Sequence, residues 1–439
     1  MPINPFNTQQ RSTRFTDQRW LLDVVIDLVG PEWDQGRLEY LAAPCSPWHR
    51  GMFMALASSI RKFDDFSREM ARTARHVELR GHAQLAAGHG VSAGDDFFAA
   101  AILYGGAQWP IYGNTELNLV LEQKKTDCYL AYAATADHRI EAVEIPYADA
   151  SLPGYLHLPP GESERSVPCV VMVSGMDAFK ELCVLSARDT YLARGMAVLC
   201  IDGPGQGTSL TRSIWYDPDR YGEVGTATYR FAADRIEIDE ERVMVWGLSQ
   251  GSFWATQMAA AEPRFAASSV MFTCFDPANT AMLIAQSPTF VERFMYMTGT
   301  DTEQALQDVV DRMRVDGLGQ RMNMPSLVIM GEDDPLTDPA ATFAHVDSIA
   351  GAKELLFYVG ENHAPVTRSS GQLGPSVYVY PADWLADRAA GVPLESQLIT
   401  VDALGKSHAV PWTPGTSYSY GAPLDLNQLF NSETFDTPR

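Results

Sequence analysis

The sequence lacks several features that would identify whole classes of protein. No run approaches the roughly 20 consecutive apolar residues of a membrane-spanning helix, and Met1 to Asp17 contain no apolar core of a secretion signal. No C-x-x-C pair and no H-E-x-x-H motif occurs, so the sequence predicts neither a disulfide framework nor a metal site. We therefore expect a cytoplasmic protein whose six cysteines are reduced core residues.

Basic residues are also scarce. There are 33 Lys and Arg against 55 Asp and Glu, for a net charge of −22. Because nucleic acids and anionic membranes are polyanions, this charge argues against both as partners. It is typical of a soluble protein, and it fits a small-molecule substrate that is uncharged, apolar or cationic.

No nucleotide-binding motif is present. The glycine-rich segment Gly203–Gly207 has neither G-x-G-x-x-G spacing nor the Lys-Ser/Thr pair of a P-loop. We interpret it as the turn after a buried strand, and we expect no cofactor.

The chain is long enough for two domains. It has 439 residues, of which 46% are hydrophobic. Apolar spacing predicts helices over Arg19–Leu28, Met52–Val77, Ala93–Gly105 and Thr115–Ala134. We assign residues 1–137 to an N-terminal all-helical cap domain, which has no catalytic motif of its own.

From residue 138 the pattern changes to strands that alternate with helices. The predicted strands are 139–146 and 151–158, which form a hairpin, followed by 169–173, 197–201, 242–246, 268–274, 326–330 and, last, 354–359. A helix is predicted over Ala178–Arg194. Residues 138–399 therefore predict an α/β domain, with a mostly parallel central sheet covered by helices on both faces. Residues 277–321 form a helical insertion that is either a substrate lid or core packing, and 400–439 a C-terminal extension.

The segment Gly247–Gly251 is the strongest functional signal. Its sequence Gly-Leu-Ser-Gln-Gly fits G-x-S-x-G, and it lies between an apolar strand and a helix rich in small residues. A nucleophilic serine at such a sharp turn leaves no room for side chains two positions away, so both positions are glycine. The pattern predicts Ser249 as the nucleophile.

The remaining catalytic groups should follow later strands, in the order acid and then histidine. Strand 326–330 is followed by an acidic loop in which we choose Asp334, with Asp333 and Glu332 as near alternatives and Asp338 and Asp276 as more distant ones. His363 follows strand 354–359 and is the predicted general base. Two backbone N–H groups should form the oxyanion hole, from Gln250 and from Met176, and Gly175 would permit close approach of the backbone.

Three segments carry a resemblance to a known family. They are Met172–Glu181 (MVSGMDAFKE), Arg194–Gly207 (RGMAVLCIDGPGQG) and Gly247–Gly251 (GLSQG). They resemble α/β-hydrolases with an N-terminal helical cap, a group that includes the bacterial 2,6-dihydroxypseudooxynicotine hydrolase and the fungal polyketide-shortening hydrolases. The resemblance runs from about Gly90 to Leu385. It implies Ser249, Asp334 and His363 as a triad, a homodimer, no cofactor, and cleavage of a carbon–carbon bond beside a ketone.

The cap contains its own polar and aromatic residues, which are His49, Tyr104, Trp109 and Tyr112. Either they pack the cap, or some of them bind substrate. Our leading hypothesis is a serine hydrolase that cleaves a β-diketone, ester or lactone of a secondary metabolite or xenobiotic. The alternatives are an acyltransferase on the same scaffold and a non-catalytic ligand-binding protein.

Overall fold

The computed structural model describes residues 13–33, 36–161, 166–183, 190–275 and 288–418. The first part is helical, with helices α1 (Thr13–Val29), α2 (Arg37–Ala42), α3 (Arg50–Ser59), α4 (Asp65–Ala86), α5 (Gly90–Ala107) and α6 (Glu116–Ala133). The predicted helix Met52–Val77 is in fact two helices, because residues 60–64 between α3 and α4 are not helical. Helix α5 has no charged side chain from Phe97 to its end, and it lies buried against α4 and α6.

A ten-stranded sheet follows the helices, in the order β1-β2-β4-β3-β5-β6-β7-β8-β9-β10. Its strands are β1 (Ile140–Tyr147), β2 (Ala150–His157), β3 (Val167–Val173), β4 (Ala197–Ile201), β5 (Ile238–Leu248), β6 (Ser268–Met271), β7 (Ser326–Gly331), β8 (Lys353–Tyr358), β9 (Gln397–Val401) and β10 (Ser407–Pro411). The seven central strands, β3 to β9, are parallel to one another. At the two edges of the sheet, β1, β2 and β10 pair antiparallel with their neighbours. The α/β-hydrolase-type architecture predicted from the sequence is therefore confirmed.

Both faces of the sheet are buried. Successive side chains of a strand point to opposite faces, so in β3 Val171 and Val173 enter one core while Val170 and Met172 enter the other. Because helices cover the sheet on both sides, the sequence of such a strand is a continuous run of apolar residues. The cap has a separate core built on side chains of α4, α5 and α6.

Helices cover the sheet and surround its carboxyl edge. They are α7 (Gly207–Thr211), α8 (Tyr221–Ala233), α9 (Gln250–Ala261), α10 (Pro288–Thr298), α11 (Glu303–Val310), α12 (Pro339–Ser348), α13 (Ser369–Leu373) and α14 (Tyr380–Ala389). Of the insertion predicted at 277–321, residues 277–287 lie outside the described residues, and the rest contains α10 and α11. None of the helices described has the length and apolar character to cross a membrane.

One prediction about the strands of this domain was wrong. The strand 354–359 is not the last, because β9 and β10 continue the sheet, and β9 crosses the boundary that we placed between residues 399 and 400. Strand β10 escaped detection because its side chains are all exposed and show no apolar alternation. The predicted helix Ala178–Arg194 is described only in part: Lys180–Cys183 and Leu192–Arg194 form short 3₁₀ helices, and residues 184–189 lie outside the described residues.

Candidate active site

Ser249 lies at the turn between β5 and α9, in a strained backbone conformation. Its φ is 56° and its ψ is −126°, which a non-glycine residue adopts at a cost of about 1–3 kcal/mol. A Cβ on Gly247 would lie 2.1 Å from the carbonyl oxygen of Gly251, and a Cβ on Gly251 would lie 2.3 Å from the carbonyl oxygen of Val173. The two glycines of the motif are therefore required by the close backbone contacts that hold the serine out of the strand.

The structure brings Ser249, His363 and Asp334 together. The distance from Ser249 Oγ to His363 Nε2 is 2.8 Å, and the distance from His363 Nδ1 to Asp334 Oδ2 is also 2.8 Å. Since a carboxylate can only accept, Nδ1 carries the proton and Nε2 is free to accept the hydroxyl proton of Ser249. The Asp334 side chain is fully buried, and its Oδ1 accepts a hydrogen bond from the backbone N–H of Leu336 at 2.8 Å.

The other acidic residues of this loop have different partners. Glu332 accepts hydrogen bonds from the N–H of Gly360 at 2.9 Å and from the hydroxyl of Tyr418 at 2.6 Å. Asp333 forms an exposed ion pair with Arg368, and Asp338 caps the N-terminus of α12. Asp276 lies outside the described residues. Among the described candidates, Asp334 alone contacts His363.

The loop after β3 lies against Ser249. A Cβ on Gly175 would lie 3.1 Å from the Cβ of Ser249, so glycine allows the backbone to approach the nucleophile closely. The backbone N–H groups of Met176 and Gln250 have no hydrogen-bond acceptor among the described residues. Both residues line the same cavity as Ser249, where such donors can hold a developing oxyanion.

The cavity in front of Ser249 has a volume of about 280 Å³ and mostly apolar walls. His363 and Gly175 also line it. The wall is completed from three parts of the chain: Tyr40 and Pro44 of the cap, Phe290 and Phe294 of α10, and Phe272, Leu336 and Tyr378 of the hydrolase domain. The predicted insertion therefore does reach the site, through α10.

The aromatic residues that we considered in the cap do not line this cavity. The hydroxyl of Tyr104 donates to Glu78 at 2.7 Å inside the cap, and His49 Nε2 lies 2.9 Å from Asp96. Trp109 packs beneath the guanidinium of Arg37, 3.6 Å from the ring centroid, and Tyr112 packs between the two cores. Tyr104, Trp109 and Tyr112 are therefore not brought to the cavity in front of Ser249, and their assignment to substrate binding stays a prediction. Tyr40 and Pro44 were missed because no motif distinguishes them from other residues of a short helix and loop.

A buried thiol also lines the cavity. Burial raises the pKa of Cys274 well above its ordinary value, and the negative charge of Asp334 raises it further, against a smaller lowering by a hydrogen bond with Ser249. Cys274 is therefore a neutral thiol at physiological pH. It does not compete with Ser249 as a nucleophile, because the thiolate is the reactive form.

Sequence and structure comparisons show that the chain is similar to known hydrolases. It is 27% identical over 303 residues to the alpha/beta hydrolase ucsC of an Acremonium species, a match that covers 63% of this chain and 58% of that protein. It is 26% identical over 317 residues to the 2,6-dihydropseudooxynicotine hydrolase of Paenarthrobacter nicotinovorans, covering 72% of this chain and 82% of that protein. The chain spans about half the length of several fungal relatives, for example 53% of xenA of Xenoacremonium sinensis.

The fold agrees with these matches. The crystal structure of the 2,6-dihydroxy-pseudo-oxynicotine hydrolase superimposes with a TM-score of 0.68 and 23% identity, covering 82% of this chain and 97% of that chain. At this identity the likeness shows the fold alone. The family model described as "Esterase FrsA-like" matches residues 74–341, which include Ser249, Met176 and Asp334. The chain therefore belongs to the FrsA-like esterase family, and it has the α/β-hydrolase fold.

Proposed function

We propose that the protein is a serine hydrolase in which Ser249, His363 and Asp334 form the catalytic triad. The observation that carries this proposal is the continuous hydrogen-bonded chain from the Ser249 hydroxyl to the buried Asp334 carboxylate, which ends at an apolar cavity. An activated serine that faces a cavity of this kind is suited to acyl transfer from a small, mostly apolar substrate.

In the first half of the reaction, Ser249 Oγ attacks a substrate carbonyl carbon while His363 Nε2 takes its proton. The oxyanion that forms accepts hydrogen bonds from the N–H groups of Met176 and Gln250. Asp334 stabilises the imidazolium and keeps the ring oriented. Collapse of the tetrahedral intermediate expels the leaving group, which takes the proton from His363, and leaves an acyl group on Ser249.

In the second half, His363 activates a water molecule that releases the acyl group as a carboxylic acid. The leaving group is an alcohol for an ester or lactone, and a ketone enolate for a β-diketone. We propose the carbon–carbon or ester cleavage of a secondary metabolite or xenobiotic, supported by the hydrolase and esterase names of the relatives. Homodimer formation and a cytoplasmic location stay predictions.

The test is product analysis by mass spectrometry on an aryl ester, an aryl lactone and an aryl β-diketone. We expect the wild type to convert at least one of them to a carboxylic acid, and Ser249→Ala to convert none. A parallel reaction with an added alcohol distinguishes acyl transfer, since a transferase would form a new ester instead of the acid. Turnover that survives in Ser249→Ala would contradict the proposal.

A further inference from the structure

The loop Ser174–Ala178 carries Met176, whose N–H is one of the proposed oxyanion donors, and its backbone is held by a buried glutamine. Gln206 lies in the glycine-rich segment Gly203–Gly207 and has no exposed surface. Its side-chain Nε2 donates to the carbonyl oxygen of Ser174 at 2.9 Å and to that of Gly175 at 3.1 Å. The segment that the sequence presented only as a turn thus contacts the loop beside the nucleophile.

The geometry of the peptide bond links the second of these contacts to the oxyanion hole. The carbonyl of Gly175 and the N–H of Met176 belong to the same peptide unit, which is planar. In a trans unit the C=O and N–H bonds point in opposite directions. When Gln206 fixes the direction of the Gly175 carbonyl, it also fixes the direction of the Met176 N–H.

The following peptide unit is held by a side chain of the helical insertion. Arg293 of α10 donates from Nη2 to the carbonyl oxygen of Met176 at 3.0 Å. Its Nε also lies 4.0 Å from Asp177 Oδ1, and Arg37 of the cap lies 3.3 Å from Asp177 Oδ2. Both peptide units that flank Met176 are therefore bound to buried side chains from other parts of the chain.

The backbone around Gln206 is shaped for this contact. A Cβ on Gly203 would lie 2.1 Å from the hydroxyl oxygen of Tyr221, and Gly205 has a φ of +82° with Tyr216 against it. Tyr221 is itself buried and stacks on Trp254, with ring centroids 5.2 Å apart. The glycines let the segment pass close to these rings, and the tight packing leaves the Gln206 side chain little freedom to move away from the loop.

We propose that Gln206 is a positioning residue that aims the N–H of Met176 at the oxyanion, and that Arg293 supports it by holding the next peptide unit. Neither side chain lines the cavity in front of Ser249, so both act through the backbone of the loop. The inference rests on the proposed function, because it assigns a role within the same catalytic site. A misdirected Met176 N–H stabilises the transition state less, because the oxyanion loses a hydrogen bond. Binding of the uncharged substrate stays nearly unchanged.

The experiment measures inactivation by an alkyl fluorophosphonate, whose phosphoryl oxygen requires the oxyanion hole, in Gln206→Met. Methionine has a similar length but no donor. We expect the maximal rate of inactivation to fall about 10-fold to 100-fold, below the roughly 100-fold to 1,000-fold effect of deleting a donor outright. The concentration for half-maximal inactivation should change less than about threefold, because the cavity itself is intact.

The matched control is Gln257→Met. Gln257 is a buried glutamine of α9 whose Nε2 donates to the carbonyl of Pro218 at 2.6 Å, away from the loop. It should lose comparable thermal stability and keep the wild-type inactivation rate. If the probe inactivates Gln206→Met no more slowly than Gln257→Met, the positioning role of Gln206 is wrong.

Arg293 provides a second route to the same conclusion if Gln206→Met does not fold. Arg293→Met should slow inactivation, and Arg293→Lys, which keeps a donor of similar reach, should recover most of the rate. Equal rates in Arg293→Met and wild type would overturn the role of Arg293. A wild-type protein that does not react at all would instead contradict the proposed function, so the two failures are distinguishable.

Discussion

Two polar regions in the interior of the molecule serve different purposes. One is the triad of Ser249, His363 and Asp334. The other, which we call the junction cluster, consists of Glu122 and Lys125 of the cap with Lys180, Glu181 and Asp202 of the hydrolase domain. The triad opens onto the cavity, and the exposed fraction of the His363 side chain is 22%. The junction cluster is closed, since its side chains are at most 10% exposed.

The charged groups of the junction cluster form ion pairs, and the pair of Lys125 and Glu181 crosses the boundary between the domains. Lys180 Nζ lies 2.9 Å from Glu181 Oε1 and 3.1 Å from Asp202 Oδ2, and Lys125 Nζ lies 2.9 Å from Glu122 Oε2. Lys125 also approaches Glu181 at 3.6 Å. The contact between Lys125 and Glu181 joins α6 to the hydrolase domain. The comparison shows that burial of polar side chains does not by itself identify a catalytic site. Their position relative to the substrate cavity matters as well.

The substitution with the largest expected effect breaks the triad and leaves the junction cluster intact. Ser249→Ala should lower kcat by about 10⁴-fold to 10⁶-fold, because the nucleophile is lost. The melting temperature should change little, since alanine keeps the Cβ and loses only a hydroxyl. Steady-state kinetics and a thermal melt on the same sample check both statements.

The next effect tests the choice of acid. Asp334→Asn should lower kcat by about 10⁴-fold, because the amide no longer holds His363 in the required tautomer. Asp333→Asn is the control, and it should keep nearly full activity since Asp333 forms only an exposed ion pair with Arg368. Equal losses in the two variants would mean that the acid is wrongly assigned.

A substitution in the junction cluster should lower the stability of the protein, in contrast to one in the triad. Lys180→Met leaves Glu181 and Asp202 without their main cation, and we expect the free energy of unfolding to fall by about 3–5 kcal/mol. The control Arg212→Met removes an exposed ion pair with Glu144 and should lower it by less than about 1 kcal/mol. Denaturant unfolding measures both. A Lys180→Met protein as stable as the control would contradict a stabilising role of the cluster.

Acid should weaken the junction between cap and sheet in two stages. Burial, with a contribution from His138, lowers the pKa of His157 from 6.5 to about 3. The unfolded chain therefore binds more protons at this position, and the free energy of unfolding falls as the pH drops from 6.5 toward 3. Burial favours the neutral form of Glu122, but Lys125 and Lys180 outweigh it and lower its pKa from 4.5 to about 2. Its stabilisation is lost as the pH falls from 4.5 toward 2.

Melting temperatures across this pH range check the prediction. His157→Gln should give a shallower decline between pH 6.5 and the lower pKa, because glutamine does not titrate. Part of the decline should persist, since burial also lowers the pKa of His345 to about 4. An unchanged slope in His157→Gln would show that this histidine does not carry the effect.

The smallest effect separates the residues that line the cavity from those that pack the cap. Phe290→Ala should raise KM several-fold with a smaller change in kcat, because it removes apolar wall area from the substrate site. Tyr104→Phe should leave KM unchanged and lower the free energy of unfolding by about 1 kcal/mol, through the lost hydrogen bond to Glu78. A changed KM in Tyr104→Phe would support the predicted role of Tyr104 in substrate binding.

The sequence predicted the part of the site that strand ends and backbone geometry determine. Gly247 and Gly251 are required by contacts within the turn, and the parallel strands β5, β7 and β8 bring Ser249, Asp334 and His363 to one edge of the sheet. Such local constraints leave a recognisable pattern in the chain.

The remaining features depend on contacts between distant segments, which leave no local pattern. Tyr40 and Phe290 reach the cavity from segments that are far apart in the sequence, and the pairing of Lys125 with Glu181 joins two domains. Gln206 lies in a motif that the sequence did show, but its acceptors in the loop after β3 could not be read from the chain. The strand β10 was missed because an exposed edge strand needs no apolar alternation.

The most direct test of the central claim is the intact mass of the protein after reaction with an organophosphonate serine probe. If Ser249 is activated as described, the wild type gains one adduct and Ser249→Ala gains none. An unmodified wild-type protein, with a probe small enough to enter the cavity, would contradict the catalytic role of Ser249.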